Sequence, residues 1–299
     1  MNKAPEDSGA PASRIVVLGE VLYDVFPDRK TVLGGAPFNV SWGLCALGLN
    51  PYLVSCVGND SRGLEALAKM KAWGMGTSGI RIDSKHSTGV VEMSIEAGEP
   101  SYLIERDSAL DYLNLDTIPE CALLYHGSLA LRGDANRKAF QRILEDPSIK
   151  RFFDVNLRSP DYSITYVKSL LKGAYWVKMN LEELAVLIGE PSLDFDDCES
   201  QIDQMLSSYS IENFILTAGE QGAIIKGMVG RSVVGPAPKG VDILDTVGAG
   251  DAFSCVSIYG ALQDYLSERI INEASLFASK VCGIRGAISE DPEFYRFVD

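Results

Sequence analysis

Short runs of apolar, β-branched and aromatic residues recur along the chain, most of them closed by a glycine or an asparagine. They fall at 15–18, 52–57, 123–126, 152–155, 175–177 and 214–217. The intervening stretches carry helical spacing, with Val40, Leu44 and Leu47 on one face, and predict helices over 36–48, 61–73, 135–145, 181–188, 196–208, 249–263 and 269–284. Strand, glycine turn and helix in alternation define an α/β fold: a mostly parallel central sheet flanked by helices.

Two stretches break this rhythm. Residues 21–33 read as strand, Pro27-Asp28-Arg29-Lys30 turn, strand; residues 89–106 alternate at Val91, Met93 and Ile95, turn at Gly98-Glu99-Pro100 and resume. They predict a small antiparallel β lid over the carboxyl end of the main sheet, where α/β proteins bind ligands; two unrelated surface hairpins are the alternative. Residues 1–13, polar with Pro and Gly, are expected to form a flexible tail. Residues 14–299 are expected to form one α/β domain carrying the lid insertions at 21–33 and 89–106.

Composition narrows the function. The 299 residues are 46% hydrophobic and 23% charged, which excludes wholesale disorder and fibrous classes. Lys and Arg number 27 against 41 Asp and Glu, and the net charge of -14 repels a phosphate backbone or an anionic bilayer. Neither nucleic acid nor membrane is therefore an expected partner, and no apolar run approaches the roughly 18 residues of a span. An anionic ligand must be held locally, by peptide N–H groups, a few cations or a metal. The six cysteines are scattered without a C-x-x-C, implying reduced thiols and a cytoplasmic setting. With only His86 and His126 present, multi-histidine metal sites are excluded and acid–base work falls to carboxylates.

The sharpest local signal is Asp245-Thr246-Val247-Gly248-Ala249-Gly250-Asp251-Ala252-Phe253, opening a long helical stretch. Two glycines around an alanine at a helix start let unpaired N–H groups face one small volume, reinforced by the helix dipole. Asp251, in the first turn, stands beside this anion site as an ionised general base. A tight turn with a helix-start acid is the plainer alternative. The glycine pair lacks the third glycine of a dinucleotide fingerprint, no Gly-Lys pair exists for a Walker loop, and G-x-S-x-G is absent.

The nine-residue run resembles the signature of the ribokinase-like, PfkB carbohydrate kinase family, and the likeness extends from Ile15 to about Ala287. Gly19-Glu20-Val21-Leu22-Tyr23-Asp24 and Gly34-Gly35-Ala36-Pro37-Phe38-Asn39-Val40 resemble the sugar-binding region of its fructokinase-like branch. The resemblance implies a ribokinase-like fold with a β lid and ATP-dependent phosphorylation of a sugar hydroxyl, most simply fructose. It implies Asp251 as base with Gly248, Ala249 and Gly250 as the anion loop. Asp24, Gly34, Gly35, Asn39 and Arg158 are implied on the sugar. Asn180, Glu183, Thr217, Gly219, Gly222 and Ser275 are implied on ATP, with Glu183 reaching Mg2+ through water. A monovalent cation and a homodimer through the lid belong to the same expectation.

Each residue also has a structural alternative. Asp24 and Asn39 suit a turn and a helix cap, Arg158 suits an ion pair with Asp154, and Asn180 with Glu183 suits an ordinary helix start. Thr217-Ala218-Gly219 suits a plain β-turn. Three positions depart from the family pattern: Ser275 stands where an Asn is common, Phe38 where a small residue is, and Tyr23 where relatives often carry Trp. Ketodeoxygluconate, ribose or a nucleoside as acceptor, and a catalytically silent sugar or nucleotide binder, are the competing functions.

Overall fold

The computed structural model describes residues 15–96, 99–116, 118–228, 230, 233–235, 240 and 242–296; the tail expected over 1–13 and the turn residue Gly98 lie outside them. The elements run β1 (Ile15–Leu18), β2 (Leu22–Val25), β3 (Thr31–Gly34), α1 (Ala36–Ala46), β4 (Tyr52–Gly58), α2 (Ser61–Trp73), β5 (Ile80–Asp83), β6 (Gly89–Glu96) and β7 (Glu99–Ile104). They continue with β8 (Leu123–His126), α3 (Asp134–Glu145), β9 (Arg151–Asp154), α4 (Ile164–Leu171), β10 (Trp176–Asn180), α5 (Leu181–Ile188) and α6 (Glu199–Tyr209). Then follow β11 (Asn213–Thr217), β12 (Ala223–Gly227), β13 (Val233–Gly235), α7 (Ala249–Leu262) and α8 (Ser267–Cys282).

The main sheet has nine strands in the order β13-β12-β11-β10-β9-β8-β1-β4-β5. All pairs from β11 to β5 are parallel, while β12 and β13 join antiparallel at one edge. Strand β1 shows why its sequence is apolar throughout. Ile15 and Val17 enter one core layer, with Trp42, Val256 and Phe277 of α1, α7 and α8; Val16 and Leu18 enter the other, with Phe140, Leu170, Leu184 and Met205 of α3 to α6. Successive side chains of a strand point to opposite faces, so both faces need helices over them.

The chain leaves β1 toward β4 and β5 and later returns to its other side as β8. Strand order thus reverses at the β1–β8 pair, and the crevice beyond the carboxyl ends of these strands is where open α/β sheets take ligands.

The lid is a separate four-stranded sheet of order β3-β2-β6-β7. Each of its hairpins is antiparallel, as the turn chemistry predicts, and the two hairpins meet through a parallel β2–β6 pairing. Leu22, Val91 and Ile104 of the lid pack on Leu110 and Leu129, the latter just beyond the end of β8. That contact seats the lid at the crevice.

Candidate active site

Helix α7 begins in the loop that the sequence marks out. Gly248 is its N-cap with φ 82°, and an added Cβ there would stand 2.3 Å from Ala287 Cβ, so the position excludes side chains on two counts. Asp245 holds the loop in shape, its carboxylate accepting from Val247 N–H at 3.0 Å and Gly286 N–H at 3.0 Å. Ala249 N–H turns back to Thr246 O at 3.3 Å, whereas the N–H groups of Gly250 and Asp251 have no protein acceptor among the described residues. Gly248, Ala249 and Gly250 are all partly exposed, so the loop is not covered by packing. An anion can be held there.

Asn39, in the second turn of α1, donates through Nδ2 to Asp251 Oδ2 at 2.8 Å across 212 residues of sequence. This bond joins the amino-terminal glycine loop to the α7 loop. Burial raises the Asp251 pKa; the Asn39 bond opposes this, Asp154 adds to it, and Lys178 and Arg158 oppose it, with a net upward shift. The helix dipole alone would act in the reverse sense. A carboxylate of raised proton affinity is a stronger base.

Asp24, on β2, lies against Gly34, where an added Cβ would be 3.0 Å from its Oδ2. Burial lifts the Asp24 pKa to about 6, with Arg158 pulling down and Asp251 and Asp245 pushing up. Gly35 has φ 109°, and a Cβ on it would meet Glu20 O at 2.6 Å. Asp24, Gly34, Gly35, Asn39 and Asp251 are therefore brought together.

Arg158 is exposed in the loop after β9. It does not pair with Asp154, the structural alternative. The partner of Asp154 is Lys178, whose Nζ lies 3.1 and 3.2 Å from the two carboxylate oxygens. The Arg158 charge acts instead on Glu20, Asp24 and Asp251, lowering all three.

Lys178 was not legible as a site residue, yet it stands directly beneath the α7 loop: a Cβ on Gly250 would be 2.9 Å from its Nζ. Burial alone pulls its pKa down, but Asp154, Glu183 and Asp251 raise it above the ordinary value, so it remains an ammonium. Asp154 also accepts from Ser254 Oγ at 2.7 Å and Tyr125 OH at 3.3 Å. A lone Lys among buried Trp176, Val177 and Met179 in a central strand is the signal that could have found it.

Asn180 and Glu183 form a reciprocal capping box at the start of α5. Glu183 Oε2 accepts from Asn180 N–H at 2.8 Å and Oε1 from Leu157 N–H at 2.7 Å. Burial raises the Glu183 pKa against the opposing Lys178 charge and these amides. Thr217 ends β11 in register with Asn180 at the end of β10, which brings the two expected nucleotide segments side by side. Gly219 and Gly222 have φ 54° and 111°, and Ala218 N–H closes the turn onto Gly222 O at 2.8 Å. Ser275 is a buried position of α8, and among the described residues its hydroxyl makes no side-chain hydrogen bond to the α7 loop. Phe38 and Tyr23 are core residues: Phe38 packs on Trp42 at 5.6 Å, and Tyr23 OH bonds Arg62 O at 3.1 Å.

Among the described residues no group of three or more His, Cys, Asp or Glu could hold a metal by itself, and no helix is long and apolar enough to cross a membrane.

A parallel sheet with helices on both faces, a β lid over its crevice, and an anion loop facing an acid and an amide define a phosphotransferase architecture. Residues 13–293 match the model of the pfkB family of carbohydrate kinases, and the chain belongs to that family. It is 30% identical over 273 residues, 83% of each chain, to PH1459 of Pyrococcus horikoshii, described as an uncharacterised sugar kinase. The crystal structure of that protein in complex with ATP superimposes with a TM-score of 0.76 at 27% identity, covering 91% of this chain and 93% of that one. Fructokinase-1 of Oryza sativa subsp. japonica is 28% identical over 93% of this chain and 94% of its own. The fold is also that of a Vibrio cholerae fructokinase solved with fructose, ADP and calcium, at a TM-score of 0.80 and 24% identity over 96% and 99% of the two chains. The protein is thus a sugar kinase.

Proposed function

We propose that this sugar kinase transfers the γ-phosphate of ATP to a hydroxyl of an uncharged sugar, fructose or a related ketose. The observation that carries the reading is the Asn39–Asp251 hydrogen bond, which sets the base at the meeting point of the glycine loop and the anion loop. Fructokinases among the relatives support the acceptor. So does the local charge: Glu20, Asp24 and Asp251 share the guanidinium of Arg158, while Lys178 is paired with Asp154 and Arg132 with Asp111. With each of these cations already shared or paired, a sugar acid is disfavoured, since its carboxylate would need an unspent one.

In the mechanism, Asp24 and Asn39 hold acceptor hydroxyls and Arg158 braces their oxygens. Asp251 takes the proton of the attacking hydroxyl as its oxygen bonds to the γ-phosphorus; the bond from phosphorus to the β-phosphate oxygen breaks and ADP leaves. The Gly250 and Asp251 N–H groups, with the Lys178 ammonium behind them, meet the charge of the phosphoryl group in transit. Magnesium bound with the nucleotide would supply positive charge to offset that of the phosphates. Glu183 fits that ion, since each of its oxygens accepts one N–H and keeps a lone pair for a water, the ligation magnesium favours. Gly219 and Gly222, beside Asn180, let the nucleotide approach the backbone. The six free cysteines are in keeping with a cytoplasmic setting.

An ADP-release assay across fructose, other hexoses, ribose, ketodeoxygluconate and nucleosides tests the acceptor. Fructose or a related ketose is expected to give the highest kcat/KM. A preference for the sugar acid would overturn the charge argument, and ADP from none of them would favour a silent binder.

A further inference from the structure

The loop after β9 carries Arg158, and two side chains at the carboxyl end of the sheet fix its near side. Leu157 N–H donates to Glu183 Oε1 at 2.7 Å, and Ser128 Oγ donates to the Asn156 carbonyl at 3.1 Å. On the far side, Asp161 N–H closes a turn onto the Arg158 carbonyl at 2.7 Å. The turn is anchored through the Asp161 side chain, which is only 4% exposed.

Two arginines from other segments reach the Asp161 carboxylate. Arg106 stands two residues beyond the end of lid strand β7, and its Nη2 lies 2.8 Å from Asp161 Oδ1. Arg132, in the turn after β8, brings Nη1 to 3.5 Å from Oδ2. Arg132 is otherwise engaged: Nε and Nη2 each donate to an oxygen of Asp111 at 2.8 Å, and Nη2 also donates to the Glu105 carbonyl at the lid exit. Its buried Nη1 makes no hydrogen bond among the described residues. The short charge-assisted contact to Asp161 is therefore the one that comes from Arg106. A guanidinium whose side chain is 73% exposed thus joins the outgoing strand of the lid to the turn that presents Arg158.

We propose that Asp161 is a positioning residue for Arg158, and that Arg106 links this position to the lid, so that the seated lid fixes the Arg158 guanidinium for the acceptor. The inference rests on the reading that Arg158 contacts the acceptor.

The test is steady-state kinetics of the full chain, with fructose and ATP varied separately. The variants are Arg106→Gln, Arg106→Lys, Asp161→Asn, the Arg106→Gln/Asp161→Asn double variant and Arg158→Gln. Arg106→Gln alters an exposed side chain and should fold as the wild type does. It should raise the sugar KM about three- to fivefold, the range that one partly exposed ion pair can carry. Its kcat and ATP KM should stay within about twofold, because a hydroxyl brace serves ground state and transition state alike and the Glu183 tie is untouched. Arg106→Lys keeps the charge and should recover part of the loss. In the double variant the sugar KM should match that of Asp161→Asn alone, since the arginine then has no carboxylate to hold. A product of the two single effects would mean that Arg106 meets the sugar itself, and overturns the proposal. Should the double variant not fold, hydrogen exchange of the Asp161 amide in Arg106→Gln decides: faster exchange than in the wild type supports the proposal, and unchanged exchange overturns it. A wild-type sugar KM in Arg106→Gln beside a raised one in Arg158→Gln overturns the proposal alone. A wild-type sugar KM in Arg158→Gln would instead take Arg158 off the acceptor and overturn the underlying reading.

Discussion

Gly43 of α1 and Cys255 of α7 approach so closely that a Cβ on Gly43 would lie 2.7 Å from the Cys255 Sγ. One helical turn before them stand Asn39 and Asp251, whose 2.8 Å bond closes the candidate site. The glycine sets the spacing of the helices and the bond reports it. Gly43→Ala is expected to force them apart: overpacking costs about 1–3 kcal/mol, more than the ~1 kcal/mol that alanine adds to a helix. Turnover should fall, and adding Cys255→Ala should recover both stability and kcat. Wild-type kcat in the single variant would show that helix spacing does not govern the bond.

Lys178 joins stability to chemistry. Lys178→Met leaves the buried Asp154 without its cation and should destabilise the fold by about 3–5 kcal/mol. Combining it with Asp154→Leu should return most of that stability, read as the urea midpoint, while the KM for ATP stays raised because the ammonium under Gly250 is gone. A double variant with normal ATP kinetics would confine Lys178 to a structural role.

Stability should also depend on pH through Glu20. Its native pKa of about 7 lies above the reference value of 4.5. The fold therefore binds this proton more tightly than the unfolded chain does, and the stabilisation is complete below about pH 4.5 and lost as pH rises through 7. The loss is on the order of 3 kcal/mol. Urea unfolding at pH 5 and pH 8 should show Glu20→Gln losing less stability than the wild type over this interval; equal losses would contradict the assignment.

The central strands were legible because strands such as β1 must satisfy a core layer on each face. Edge strands lack that demand. β5 carries Arg81 and a half-exposed Ile82, β13 carries Val234 at 60% exposure, and neither stands out by apolarity. Helix α4 escaped notice because it is one short amphipathic segment opening on the β-prone Ile164 and Tyr166. The α7 loop was legible because the whole nine-residue run from Asp245 to Phe253 is distinctive; its two glycines alone would equally suit a tight turn. Lys178 and Glu20 were not, since a single charge beside an apolar run reads as solvated until topology buries it. His126 shows the converse: it lies between Phe140 and Phe153, burial lowers its pKa to about 3, and it is a neutral core ring. His126 is therefore no candidate for acid–base work, which the proposed function assigns to Asp251.

The account depends most on Asp251, and Asp251→Asn tests it with the least disturbance, since the amide keeps the size of the side chain and can still meet Asn39. Single-turnover phosphorylation of fructose, measured beside calorimetric sugar binding, should fall by about 10²–10⁴-fold with affinity altered no more than a few-fold. Turnover within a few-fold of the wild type would contradict the assignment of Asp251 as the group that receives the proton.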